Sequence, residues 1–121
     1  MAELGAQPVP ADALDAASVK AQLASPDAII NELTSLPRRY TPAEMRAAAE
    51  RDRKDRTEGN ANLLAALRDA GVRRYLLQSG GYWYAPGDGL ANESALFALD
   101  ASPAVAAGAR QHGLARRTPD P

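Results

Sequence analysis

A short apolar run between Gly71 and the pair Gly80-Gly81 is the feature that most constrains the fold of this chain. Tyr75 to Gln78 has the length and composition of a parallel strand with both faces covered. Gly71 stands just before it, where a glycine of positive φ would end a helix, and Ser79-Gly80-Gly81 follows it directly. Because ligands of open α/β sheets bind beyond the carboxyl ends of the strands, the loop after this run is predicted to carry any chemistry.

An earlier segment has the pattern of a helix followed by a strand. Asp15 is suited to cap a helix over residues 16–24, in which two apolar side chains lie one turn apart on the inner face. The apolar segment from Asp27 to Leu33 predicts the strand that follows. Residues 34–37 then form the loop at the carboxyl end of that strand.

The middle of the chain predicts one long helix. Residues 41–44 supply a threonine cap, a proline at the first helical position and a glutamate three residues after the cap. The helix is predicted to run to Ala70 and to be loosened near Gly59. The mixed-charge run at residues 51–56 is interpreted as solvated helix surface, because its acids neutralise its bases in place.

With a short extended segment around Val9, these elements follow the order strand, helix, strand, helix, strand. In a single sheet that order requires parallel strands joined by crossover helices, so an α/β domain is predicted over residues 1–107. Residues 108–121 are predicted to form a disordered tail, since periodicity is lost there. The lone histidine, His112, lies in that tail and is assigned no role.

Charge and composition argue against several classes of partner. The 14 Lys and Arg residues against 15 Asp and Glu residues give a net charge of -1, so nothing draws the whole protein to nucleic acid or to an anionic membrane. Cysteine is absent, which removes thiolate catalysis and the usual zinc sites, and no metal site is predicted. Neither a membrane-length apolar stretch nor a signal peptide is recognisable, so a cytoplasmic protein is expected.

Three groups of residues together resemble the interior of the NAD-dependent epimerase/dehydratase family, the extended or atypical short-chain dehydrogenases/reductases. Asp12-Ala13-Leu14-Asp15, with the helix and strand after it, is similar to the family's aspartate after the third strand and its fourth strand. Arg56 to Leu64 resembles the helix before the fifth strand. Tyr75 to Ser79, with Tyr84-Ala85, resembles the fifth strand and a serine-containing loop that ends in an aromatic residue. The resemblance implies a partial NAD(P)-binding Rossmann-like fold that lacks its first two strands.

Two family motifs are missing from the sequence. The glycine-rich turn that presents helix amides to the cofactor pyrophosphate is absent, and Gly80-Gly81 cannot replace it because no helix start follows. The catalytic Tyr-x-x-x-Lys is absent too, since neither Lys20 nor Lys54 lies four residues after a tyrosine. The resemblance implies hydride transfer between NAD or NADP and a sugar nucleotide or a small hydroxyl or carbonyl compound. This chain alone is expected to be inactive and to bind no cofactor.

The resemblance also implies site residues near the strand ends. The cofactor side would be formed by Asp12, Ala13, Leu33 and Thr34, the substrate pocket by Tyr82, Trp83 and Tyr84, and the catalytic hydroxyl by Ser79. Each assignment has a structural alternative. Asp12 is also suited to cap amides in a turn, and Leu33 and Thr34 to form an ordinary strand terminus. Ser79 is also suited to form hydrogen bonds at a strand end, and the aromatic residues to cover the edge of the core.

Loss of two strands would leave the remaining sheet incomplete. The strand at residues 27–33 would expose an unpaired edge, which favours self-association, and the segment around Val9 would have no native neighbour. Marginal stability is therefore expected. The alternative function is a non-catalytic interaction module, in which the long helix and the aromatic loop pack on a partner.

Overall fold

A computed structural model describes residues 2–23 and 25–116, and these contain four α-helices and a two-stranded sheet. The helices are α1 (Ala16–Gln22), α2 (Pro42–Lys54), α3 (Asn60–Asp69) and α4 (Pro103–Arg116), and the strands are β1 (Ala28–Asn31) and β2 (Arg74–Leu77). Three short turns complete the described elements: 3₁₀ turns at Ala2–Leu4 and Gly81–Trp83, and a π-helical turn at Asp55–Gly59.

The two strands are parallel neighbours, which agrees with the predicted α/β class. Their register places Ile30 beside Leu76 on one face of the sheet. These two side chains are 66% and 52% exposed. The opposite face lies against α3, because Asn31 and Tyr75 both form hydrogen bonds with Asn60. Among the described residues, the sheet is therefore covered on one face only, and the prediction that the strand after Gly71 has both faces covered is wrong.

Local sequence signals set the helix boundaries as predicted. The Asp15 carboxylate accepts a hydrogen bond from the backbone N–H of Ala17 at the start of α1 (2.9 Å). Thr41 Oγ1 accepts from the backbone N–H of Glu44 at the start of α2 (3.3 Å). Gly71 has a φ of 68° and follows Ala70, the C-cap residue of α3. All three predicted signals are confirmed.

The long helix is interrupted by the π-helical turn, which ends at Gly59, where loosening was predicted. Gly59 is buried, and a Cβ added there would lie 3.5 Å from the Cβ of Ala13. That distance is an ordinary van der Waals contact, so the segment around Ala13 lies against the helix at this point. The extra residue in a π-helical turn changes which side chains face inward, so α2 and α3 present different faces.

The predicted strand around Val9 is wrong. Residues 6–11 contain no strand, and the Val9 side chain is 48% exposed. Pro8 and Pro10 flank Val9 and have no backbone N–H to donate to a sheet. The flanking prolines therefore outweigh the strand preference of valine.

The predicted disordered tail is wrong for residues 108–116, which belong to α4. The backbone N–H of Val105 donates to Ser102 Oγ at the start of this helix (3.2 Å). Its inner face is formed mainly by small side chains and includes Gly108 and Gln111, both buried. Such a face gives little hydrophobic periodicity, which is why the helix could not be recognised from the sequence. The remainder of that predicted tail, residues 117–121, lies outside the described residues.

Two groups of side chains form the core. One includes the buried side chains of Val19 in α1 and of Leu64 and Leu67 in α3, two helices that contact each other. The other surrounds Trp83 beneath α4. In the described ranges, none of the helices has the length and apolar character needed to cross a membrane.

Candidate functional site

A cavity of about 160 Å³ lies at the carboxyl ends of β1 and β2. Parallel strands end at the same edge of a sheet, so the loops that follow them meet there. The lining residues come from both loops and from the π-helical turn: Glu32, Leu33, Thr34, Arg56, Gln78, Ser79, Gly80, Tyr82 and Trp83. This cavity is the candidate site.

Five of the predicted site residues line this cavity: Leu33, Thr34, Ser79, Tyr82 and Trp83. The two adjacent aromatic residues, Tyr82 and Trp83, differ in their burial. Tyr82 is 75% exposed, whereas Trp83 is 1% exposed. Trp83 therefore belongs both to the core and to the cavity wall.

The other three predicted residues do not line the cavity. The Asp12 carboxylate accepts from the backbone N–H of Leu14 (2.9 Å), which is the turn-capping alternative. The carbonyl oxygen of Ala13 accepts from Asn62 Nδ2 (2.9 Å). Tyr84 packs against Phe97, with ring centroids 5.1 Å apart, and the two residues form an antiparallel bridge. Tyr84 therefore contacts and orders the loop that leads to α4.

A largely buried ion pair in the mixed-charge run lies beside the cavity, and its Arg56 lines the cavity wall. Arg56 Nε lies 2.6 Å from Asp52 Oδ2, and the two side chains are 11% and 18% exposed. The guanidinium carbon lies 4.8 Å from the Trp83 ring centroid, and Nη1 donates to Gln111 Oε1 (3.2 Å). The interpretation of residues 51–56 as solvated surface is therefore wrong for Asp52 and Arg56. Their i, i+4 spacing was the only signal in the sequence.

Asp52 also fixes the loop after β1. Its Oδ1 accepts from the hydroxyl of Thr34 (2.9 Å) and from the backbone N–H of Ser35 (3.1 Å). The hydroxyl of Ser35 donates to Asp55 Oδ2 (2.7 Å). The loop is thus held by acids of α2 and of the π-helical turn, which places negative charge beside the cavity.

A buried polar network lies beneath the strand ends. Asn31 Nδ2 donates to the Tyr75 hydroxyl (2.7 Å) and to Asn60 Oδ1 (3.2 Å). Asn31 Oδ1 accepts from the backbone N–H of Leu33 (2.9 Å), so the network positions a residue of the cavity wall. Burial raises the pKa of Tyr75, although the hydrogen bond from Asn31 opposes this rise. Tyr75 therefore acts as a neutral hydrogen-bonding group.

Three buried polar atoms have no hydrogen-bond partner in residues 2–23 and 25–116. They are Asn60 Nδ2, Trp83 Nε1 and His112 Nε2. Leaving a buried donor unpaired costs about 1–3 kcal/mol. The Trp83 atom belongs to a side chain that lines the cavity.

No family model, curated protein or solved structure matches this chain. The resemblance to the epimerase/dehydratase family therefore stands on the quoted residues alone. Within the described ranges, no three His, Cys, Asp or Glu side chains are grouped as a metal ion would require.

His112 is expected to make the stability of the protein depend on pH. It packs edge-on against Trp83 and Phe97, with ring centroids 6.3 and 5.3 Å away. Burial lowers the pKa of His112 below its ordinary 6.5, and the nearby positive charge of Arg116 adds to this effect. The unfolded chain then binds a proton more readily than the folded chain. The free energy of unfolding should fall as the pH falls through 6.5 toward the folded-state pKa.

Urea denaturation at about pH 7.5 and about pH 5.5 checks this expectation, since most carboxylates titrate below that range. The transition midpoint should be lower at the acidic pH. His112→Gln removes the only histidine of the sequence and should reduce the difference. Equal pH dependence in the two proteins would contradict the assignment to His112.

Proposed function

We propose that the chain is an NAD(P)-dependent epimerase/dehydratase-like or reductase-like protein whose described residues form the substrate end of a nucleotide cleft. The main support is the cavity at the carboxyl ends of β1 and β2, which brings Leu33 and Thr34 together with Ser79. This is the place where ligands bind in doubly wound α/β folds. The parallel pair and the helices between its strands support the proposal, because they are compatible with an α/β fold.

Within this proposal the residues have separate roles. Leu33 and Thr34 border the nucleotide, and Ser79 forms a hydrogen bond with a carbonyl or hydroxyl oxygen of the substrate. Nicotinamide supplies hydride transfer when it is bound. Ser79 has no proton donor of the Tyr-x-x-x-Lys kind beside it, because the sequence lacks that motif.

The described residues do not fit a whole dinucleotide. A pyrophosphate needs a cradle of backbone amides or basic side chains, and the sequence lacks the glycine-rich turn. Arg56 is the one basic residue in the wall of the described cavity, and it is already bonded to Asp52. Glu32 adds negative charge to the same wall. We therefore propose that this chain transfers no hydride by itself.

The open edge of β1 is where a glycine-rich unit would complete the cleft. An apolar groove of about 510 Å³ runs along this strand, between the segment around Val9 and α1. Ile29, Ile30 and Leu33 contribute to its wall. An added strand could pair with β1 and cover these side chains at the same time.

The experiment is a calorimetric titration of the chain with NAD and NADP, alone and after mixing with a glycine-rich βαβαβ half from an epimerase/dehydratase. The chain alone should give no saturable binding up to about 1 mM, which is a binding free energy weaker than about 4 kcal/mol. The mixture should bind a dinucleotide more tightly than the added half does by itself. Micromolar binding of NAD or NADP by the chain alone would contradict its proposed inactivity. If the mixture binds the dinucleotide no more tightly than the added half does by itself, the family proposal is contradicted.

A second candidate function is a non-catalytic interaction module. The specific observation that favours it is the adjacent exposed pair Ile30 and Leu76 on the uncovered face of the described sheet. The same mixing experiment distinguishes the two candidates. A complex that forms with the added half but binds no dinucleotide would support the interaction module.

A further inference from the structure

We infer that two copies of this chain pair through the open edge of β1, antiparallel and related by a two-fold axis, so that their two small sheets join into one sheet of four strands. Ile30 of one copy lies opposite Ile30 of the second copy at the axis, and Arg74 of each copy meets Glu32 of the other. This inference goes beyond the proposed function and does not depend on it, because it needs neither a nucleotide nor a family relationship.

The backbone of β1 leaves one set of hydrogen-bonding groups without a neighbouring strand. In a strand, the N–H and C=O of one residue point to the same edge, and those of the next residue point to the opposite edge. The N–H of Gln78 donates to the carbonyl oxygen of Asn31 (3.0 Å), so Asn31 and Ile29 face β2. Ala28 and Ile30 therefore face the open edge, where no other strand of the described residues pairs with β1.

A two-fold axis through Ile30 fixes the register of the pairing. Identical edges that pair about such an axis are antiparallel, and the contact closes at two copies. With Ile30 opposite itself, the two copies exchange both backbone hydrogen bonds at this position. Ile30 also lines the apolar groove of about 510 Å³ beside β1, which gives a second strand access to the edge. The exposed side chains of Ile30 and Leu76 then join those of the second copy in one apolar row.

Charge complementarity favours a second copy of this chain over an unrelated strand. Arg74 lies beside Ala28 in the sheet, and in this register Glu32 of the second copy lies on the other side of that alanine. The two charged residues are then two strand spacings apart, about 10 Å between Cα atoms, and the small alanine side chain lets them meet. Both are exposed, and neither has an ion-pair partner within residues 2–23 and 25–116. The two-fold axis forms this ion pair twice.

Sedimentation equilibrium of the full chain, without nucleotide, is the first measurement. The apparent mass should rise reversibly from that of a monomer to that of a dimer as the protein concentration increases from about 10 μM to about 1 mM, because a short strand pair is a small interface. A chain that stays monomeric throughout would overturn the inference and leave the edge to a different partner. Larger, open-ended species would overturn it too, because a two-fold contact closes at two copies.

A charge swap tests the register. Glu32→Arg and Arg74→Glu each bring like charges together at both ends of the interface, so each should weaken dimerisation about tenfold. The double variant reverses both charges and should restore dimerisation to within about threefold of the original. Glu93→Arg changes the net charge equally in an exposed loop and should have no effect.

The restoration can arise only between copies. Within one copy Arg74 is level with Ala28, four residues before Glu32, which separates the two charges by about 13 Å along the strands. A double variant as weak as the single ones would contradict the register. A dimer that neither reversal affects would pair through another surface, such as the free edge of β2, and would contradict the inference.

Two substitutions of Ile30 test the backbone pairing. Ile30→Pro removes an N–H that faces the open edge and is bonded to no strand of the described residues, so the folded chain should tolerate it. This variant should lose the dimer, whereas Ile30→Ala keeps the N–H and should still dimerise. Circular dichroism shows whether each variant is folded. If Ile30→Pro is folded and dimerises like the original chain, the strand pairing is contradicted, and if it does not fold, the charge swap still decides.

Discussion

Replacing Trp83 with alanine should lower the free energy of unfolding by about 3–5 kcal/mol. The indole is 1% exposed and lies against Gly108 of α4, beneath the guanidinium of Arg56. Its removal leaves a void between α4 and the strand-end loop and exposes the Arg56–Asp52 pair to water. A chain of this length holds only about 5–15 kcal/mol in total, so the loss is a large share of its stability. Urea denaturation followed by circular dichroism measures this loss of stability, because circular dichroism does not depend on tryptophan fluorescence.

The adjacent Tyr82 provides the control. Its side chain is 75% exposed, so Tyr82→Ala should change the free energy of unfolding by no more than about 0.5 kcal/mol. A similar loss in the two variants would mean that the aromatic loop as a whole, and not the indole, stabilises the protein. A small loss in Trp83→Ala would contradict the role of Trp83 as the contact that holds α4.

The features of this fold that could be predicted from sequence are those set by interactions between residues close together in the chain. Asp15 and Thr41 cap helices through amides two and three residues away, and Gly71 takes a conformation that its own lack of a side chain allows. The positions of the two strands were predictable for a similar reason, because short apolar runs mark them, although β1 ends at Asn31 and not at Leu33 as predicted. Leu33, Thr34 and Ser79 stand at or just after the ends of those runs, so they could be placed at one edge of a parallel sheet.

The rest of the site depends on contacts between residues that are distant in the sequence. Asp52 and Arg56 belong to a mixed-charge run that would look the same on any solvated helix. The pair is largely buried because Arg56 packs on Trp83 and donates to Gln111 of α4, and because the loop after β1 donates to Asp52. The helix α4 was not predicted because its inner face consists mainly of small side chains. Such a face is recognisable as buried only when the Trp83 ring that packs against it is known.

Replacing Gly108 with alanine should destabilise the protein by about 1–3 kcal/mol, although alanine is normally the better helix former by about 1 kcal/mol. Gly108 is buried within α4, and an added Cβ would lie 2.7 Å from both Cε2 and Cζ2 of Trp83. Those atoms belong to a rigid ring, so the ring or the helix must move. The measurement is again the urea transition. Gly113→Ala in the same helix is the control, since its Cβ meets nothing within 4 Å, and it should stabilise the protein slightly.

A double-mutant cycle tests whether the indole causes the cost at Gly108. Trp83→Leu keeps an apolar side chain but removes the ring, so in that background Gly108→Ala should lose its penalty and show the ordinary preference of a helix for alanine. The two substitutions should then be non-additive, because one removes the atoms with which the other collides. If Gly108→Ala remains equally costly without the indole, its cost arises elsewhere in α4, and the close contact between this helix and Trp83 does not specify the glycine.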